Sequence, residues 1–145
     1  MNQHERQEAE RSLSQLLSPF QSIEGEELSS VQAFYEHGSL ARLGLRFRER
    51  LLVISANAED DSIDLSLTTI GDSDEKGGPA LNQRRPWNEV IGRSFGWGWI
   101  TVNQQGYCDG ILISFGGIVP TLAINVAASS LQVGRIDFDQ APASE

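Results

Sequence analysis

From Leu28 onward the apolar residues follow a period of two, and this alternation narrows the accessible folds more than any other feature. Val31, Ala33 and Tyr35 alternate with polar neighbours. After the turn signal His37-Gly38-Ser39, Leu43, Leu45 and Phe47 alternate with Arg42, Arg46 and Arg48. The run Leu51-Leu52-Val53-Ile54 follows across Glu49-Arg50, and Ile63, Leu65 and Leu67 follow the loop Asn57-Ala58-Glu59-Asp60-Asp61. Successive side chains of a strand point to opposite faces, so this pattern buries one face of a sheet. Short turn signals between the runs predict hairpin-connected antiparallel strands. Strand patterning returns over 95–103, 107–115, 121–127 and 131–136, with Asn103-Gln104-Gln105-Gly106 as a tight turn whose Gly takes positive φ.

Two stretches follow the helical period instead. Ala9, Leu13, Leu16, Leu17 and Phe20 share one helix face within residues 1–20, and Glu5, Glu8 and Glu10 suit the positive end of the dipole. Ser18-Pro19 is expected to end this helix, because Pro disfavours helical geometry at the residue before it. Pro86 opens a second, short helix, Trp87-Asn88-Glu89-Val90-Ile91, closed by Gly92. Residues 71–85 have no period and read as a long exposed loop, and the tail DFDQAPASE (137–145) reads as disordered and acidic. The expected fold is α+β and sheet-dominated, an antiparallel meander of about seven or eight strands with an N-terminal and a short central helix. The expected organisation is the helix 1–20, a single sheet domain over 28–136, and the tail.

Composition removes several classes. A chain of 145 residues suffices for one domain with a real core. No apolar run approaches a membrane span, and MNQHERQEAER leads into no secretory apolar segment, so a cytoplasmic protein without membrane contact is expected. With 20 acidic against 11 basic residues the net charge is -9, which argues against nucleic acid, whose phosphates need clustered Lys and Arg. The single cysteine, Cys108, excludes an internal disulfide.

The segment Pro86–Gly117, PWNEVIGRSFGWGWITVNQQGYCDGILISFGG, carries the most specific pattern. Read as regular strands, Phe95, Trp97, Trp99 and Thr101 share a face, and Tyr107, Asp109, Ile111, Ile113 and Phe115 share one on the returning strand. Gly96, Gly98 and Gly110 leave space for a neighbouring element or a ligand. One reading is an aromatic core; the other is an aromatic recess formed by Trp97, Trp99 and Tyr107 with Asp109 at its rim. The motif W-x-x-x-I-G-x-x-F-G-W-G-W-x-x-x-N-x-x-G-Y-x-D-G, from Trp87 to Gly110, resembles a family of small bacterial proteins known only as a domain of unknown function. The resemblance extends over about Val31 to Ile136, and it implies no activity, cofactor or catalytic residue. In size, acidity and sheet content the chain is also similar to bacterial toxin immunity proteins, a likeness of class that implies a protein partner.

Catalytic readings fare poorly. Cys108 and Asp109 are adjacent and would face opposite ways on a regular strand, so a Cys–His–Asp site is not expected. Asp72-Ser73-Asp74-Glu75-Lys76-Gly77 begins like a calcium loop, but Lys76 and Gln83 stand where oxygen ligands belong. No metal, cofactor or catalytic set is therefore assigned. Charge pattern is more informative. Seven carboxylates (Glu59, Asp60, Asp61, Asp64, Asp72, Asp74, Glu75) crowd one window without Lys or Arg, opposite a stripe read as Arg42, Arg46, Arg48 and Arg50 on one face. Stripe and cluster either neutralise each other across strands or form a polarised surface that attracts a basic partner. The expected function is a non-enzymatic, acidic protein-binding domain, an immunity protein neutralising a cognate, basic toxin through that cluster. A secretion chaperone for an effector and a small-ligand module built on the aromatic hairpin are the alternatives.

Overall fold

The computed structural model describes residues 2–70 and 78–136, save the side chains of Arg6 and residues 8–13. The expected disordered tail and the acidic window beyond Ile70 lie outside the described residues.

Eight strands form two four-stranded antiparallel meanders. Strands β1 (Leu28–Glu36), β2 (Ser39–Phe47), β3 (Arg50–Asn57) and β4 (Ser62–Thr69) pair in order, as do β5 (Phe95–Val102), β6 (Cys108–Phe115), β7 (Leu122–Ala127) and β8 (Ser130–Arg135). The alternation places Val31, Ala33, Leu43, Leu45, Phe47, Leu52 and Ile54 on the inner face of the first sheet, all fully buried. Ile111, Ile113, Phe115, Leu122, Ile124 and Leu131 supply the facing layer. Each sheet alone would expose its apolar face, so the two close on each other. They are also stitched at one end: the Leu28 amide donates to the Arg93 carbonyl (3.0 Å), and the Phe95 amide donates to that of Glu26 (2.8 Å).

The N-terminal helix, α1 (Gln3–Ile23), runs past Pro19. Pro in a helix interior costs about 3 kcal/mol. Beyond it lie Phe20 and Ile23, both fully buried, and full burial of such side chains contributes roughly 1.5–3 kcal/mol each. Burial offsets the proline, and the helix stops only at Glu24, before Gly25 at φ 84°. Its N-terminus is fixed by a capping box: Asn2 Oδ1 accepts from the Glu5 amide (2.8 Å) while Glu5 accepts from the Asn2 amide (3.3 Å).

The loop expected over 71–85 is not wholly free. Pro79–Leu81 lies along the outer edge of β1, with the Ala33 amide donating to the Pro79 carbonyl (3.0 Å) and the Leu81 amide to that of Val31 (2.8 Å). This covers backbone groups that an edge strand would otherwise present to other chains. The short central helix is a single 3-10 turn, Trp87–Glu89, anchored by the buried Trp87 and followed by Gly92 at φ 85°.

Candidate functional site

Meander topology fixes where the turns go. In each sheet the first and third hairpins turn at the same end, so the β1–β2 and β3–β4 turns are neighbours, and so are β5–β6 and β7–β8. Asp61, in the β3–β4 turn, accepts from the Ser129 amide in the β7–β8 turn (2.8 Å). That bond brings the turn ends of both sheets together. Glu36, Glu59, Asp60, Asp61, Asp64 and Asp109 therefore share one end of the sandwich, and none of the four turns holds a Lys or Arg. Tyr35, Val102 and Tyr107, exposed by 49, 45 and 43%, lie on the flanks of the same turns.

The predicted acidic cluster is thus enlarged and sorted. Asp60 accepts from the amide (3.1 Å) and hydroxyl of Ser62, and Asp61 holds the two turns together from a left-handed backbone (φ 53°). Glu59, Asp60, Asp61 and Asp64 are all exposed, but Asp60 and Asp61 hold turns, whereas no hydrogen bond of that kind engages the Glu59 or Asp64 carboxylate. Asp72, Asp74 and Glu75 lie outside the described residues. Sequence reasoning missed Glu36, Tyr35 and Val102. Hairpin parity could have found them, because the ends of β1 and β5 must meet the same turns as the Glu59–Asp64 region.

The arginine stripe separates. Arg42 and Arg46 lie on the outer face of β2, Arg48 sits in the β2–β3 turn at φ 47°, and Arg50 donates to the Ser22 carbonyl (2.8 Å) near the C-terminus of α1. Arg50 thereby satisfies a helix-end carbonyl and complements the dipole. Arg42 is level with Asp64, two strands or about 10 Å away, and its guanidinium stacks over Phe34 at 4.9 Å. Of the strand and loop arginines Arg42 alone stands near the acidic end; the others lie toward the opposite end.

The aromatic hairpin is rearranged by two bulges. Phe95 pairs with Phe115 but Gly98 with Ile113, so an extra residue in β5 puts Phe95, Gly98 and Ile100 on the inner face and Trp97 and Trp99 on the outer one. At this bulge the Trp97 amide donates to Ser114 Oγ (2.8 Å), which in turn donates to the Gly117 carbonyl (2.7 Å). A second shift, between Thr101 and Val102, turns Cys108 into the core and leaves Asp109 outside, accepting from Thr101 Oγ1 at 2.9 Å. The faces read from regular alternation are therefore corrected for Phe95, Cys108 and Asp109. Trp97 and Trp99 are half-buried outside the core cluster, Tyr107 is exposed at the turn, and the glycines admit the chain itself. Gly98 faces the Phe20 ring, Gly96 the Gly117 carbonyl, and Gly110 the side chains of Asn125 and Thr101.

Burial pushes the Cys108 thiol above its ordinary value of 9.0, and the nearby carboxylates of Asp109 and Asp64 push the same way. Cys108 thus feels carboxylates from both sheets, Asp109 beside it in its own strand and Asp64 from β4. Two outcomes are expected. A thiol reagent at pH 8 modifies the folded protein far more slowly than the unfolded chain. Stability also falls as pH rises above 9.0, where the unfolded thiol has ionised and the folded one has not. Denaturation midpoints between pH 8 and 10, with Cys108→Ala as the variant that removes this contribution, check the second. Among the described residues, no three His, Cys, Asp or Glu side chains converge as a metal site needs, and no helix is long and apolar enough to cross a membrane.

Fold and surface together define an α+β protein of two packed meanders with an acidic, tyrosine-bearing end. The chain belongs to DUF6334, a family of unknown function whose model matches residues 13–138. The match begins within α1, whose Phe20 and Ile23 are part of the core. No curated protein and no solved structure matches the chain.

Proposed function

We propose that the protein is a non-enzymatic binding domain that recognises a basic protein partner with its acidic turn end, and that it acts in the cytoplasm as an immunity protein neutralising a toxin. One observation carries this reading: both sheets contribute carboxylates to the same end, where Glu36, Glu59, Asp64 and Asp109 lie with exposed Tyr35 and Tyr107. Like charges gathered on one end repel each other, and among the described residues the four turns hold no arginine, Arg42 standing two strands from Asp64 and stacked on Phe34. Such an end raises the rate of encounter with a positively charged surface. Tyrosines supply large contact area at small entropic cost, which suits them as anchors.

The test is capture from a lysate of the native host by the immobilised protein, in parallel with the variant Glu36→Gln/Glu59→Gln/Asp64→Asn. These three side chains are exposed and none makes a hydrogen bond that holds a turn. A basic protein retained by the wild type and lost from the variant supports the reading. If no basic protein is retained, or one is retained equally by both, the reading fails.

A further inference from the structure

At the end of the sandwich opposite the acidic turns, the 3-10 turn meets the start of β7 and the end of β8 around a cleft of about 190 Å³. Val90, Leu122 and Ile136 give it an apolar side, and Arg93, Arg135 and Glu89 give it charge. Glu89 pairs with Arg135 at 3.3 Å. Among the described residues, Arg93 has no carboxylate within ion-pair distance. Its guanidinium lies against Gly116, with Nη1 4.0 Å from where a Cβ would stand. The same loop continues into Ile118 and Val119, which are 79 and 58% exposed.

We propose that this cleft binds a monoanionic organic carboxylate with an apolar body, its carboxylate held by Arg93. The charges of the cleft select the ligand. Among the described residues Glu89 is matched by Arg135 while the Arg93 guanidinium faces no carboxylate, and Glu89 repels a dianion such as phosphate. A guanidinium presents two parallel N–H donors that match a carboxylate, and the site keeps one such fork without a partner among the described residues. The apolar side receives a ring or branched alkyl group. The volume is below the roughly 300 Å³ at which drug-sized pockets begin, so the ligand is small or is one side chain of a larger chain. This site is independent of the acidic end, and either can fail alone.

The experiment is an NMR titration of the full-length protein with sodium benzoate. Saturable shifts at Val90, Arg93, Leu122 and Ile136 are expected, with a Kd on the order of 1 mM for so small a ligand. Arg93→Gln weakens binding by about tenfold or more, as loss of a charge-assisted pair should. Arg84→Gln, an exposed arginine outside the cleft, leaves it unchanged. Acetyl-Leu-Glu-amide binding tighter than benzoate assigns the carboxylate to a partner chain, and the reverse order assigns it to a free acid; both outcomes support the site. The proposal is overturned if neither probe gives a saturable response, if Arg93→Gln responds like the wild type, or if inorganic phosphate shifts the same resonances with the same affinity. It is also overturned if benzoate binds only to Asp137→Asn/Asp139→Asn, since the chain's own carboxylates would then be the occupants.

Discussion

Phe95→Ala is expected to destabilise the protein by about 3–5 kcal/mol, the range for truncating a fully buried aromatic. Its ring stacks on Phe20 of α1 at 5.7 Å and meets Phe47 of the first sheet and Phe115 of the second edge-on, both at 5.8 Å. One side chain thus joins the helix to both sheets, and no neighbour can close the cavity without moving a different element. Domains of this size are stable by only about 5–15 kcal/mol in total, so the loss is a large share of what holds the fold. Urea denaturation followed by tryptophan fluorescence measures it. A loss below about 1.5 kcal/mol, the scale of a conservative core swap, would mean that the three elements do not depend on this ring. Phe34→Ala provides the contrast: Phe34 stacks with Arg42 on an outer face and should cost far less.

Gly98→Ala is the second large effect. A Cβ there would stand 2.6 Å from Cε2 of Phe20, closer than real carbons approach. Phe20 is fully buried on α1 and its ring is stacked on Phe95, so it moves only by disturbing the core. Overpacking of this kind costs about 1–3 kcal/mol. The mechanism makes a sharper statement than the magnitude. In a Phe20→Leu background the smaller side chain leaves room, so the added methyl should cost at least about 1 kcal/mol less, a coupling typical of residues in contact. Additive effects in the double-mutant cycle would show that Gly98 is required for its backbone alone.

These two positions also mark what the sequence could and could not disclose. The period of two between Leu28 and Leu67 reports burial on one face, which is a local property, so the strands could be read directly. Division into two packed meanders follows from strand pairing, which alternation alone leaves open. Pro19 misled because a local helix penalty is visible in the chain while the burial of Phe20 and Ile23 that offsets it is tertiary. Bulges misled for a related reason. A single extra residue at Gly96-Trp97, and another near Cys108, reverses every face beyond it, and Ser114 accepting the Trp97 amide becomes evident only across the sheet. The spaces left by Gly96, Gly98 and Gly110 were legible as close approaches, and their occupants are side chains and backbone of the same molecule. The acidic window was legible as charge. Its enlargement by Glu36 and Asp109 needed the parity of hairpins and the Asp61–Ser129 bond that joins the two ends.

The central claim is that the acidic end drives recognition of a basic partner. Its most direct test is the association rate of the captured partner, measured by stopped flow with the wild type and with Glu36→Gln/Glu59→Gln/Asp64→Asn over a range of salt. Electrostatic steering changes association rates by about tenfold to a thousandfold and fades with ionic strength. The expected result is a rate for the triple variant about tenfold lower at low salt, converging with the wild type at high salt, while dissociation changes little. Equal association rates at low salt would contradict the claim and place recognition elsewhere on the molecule.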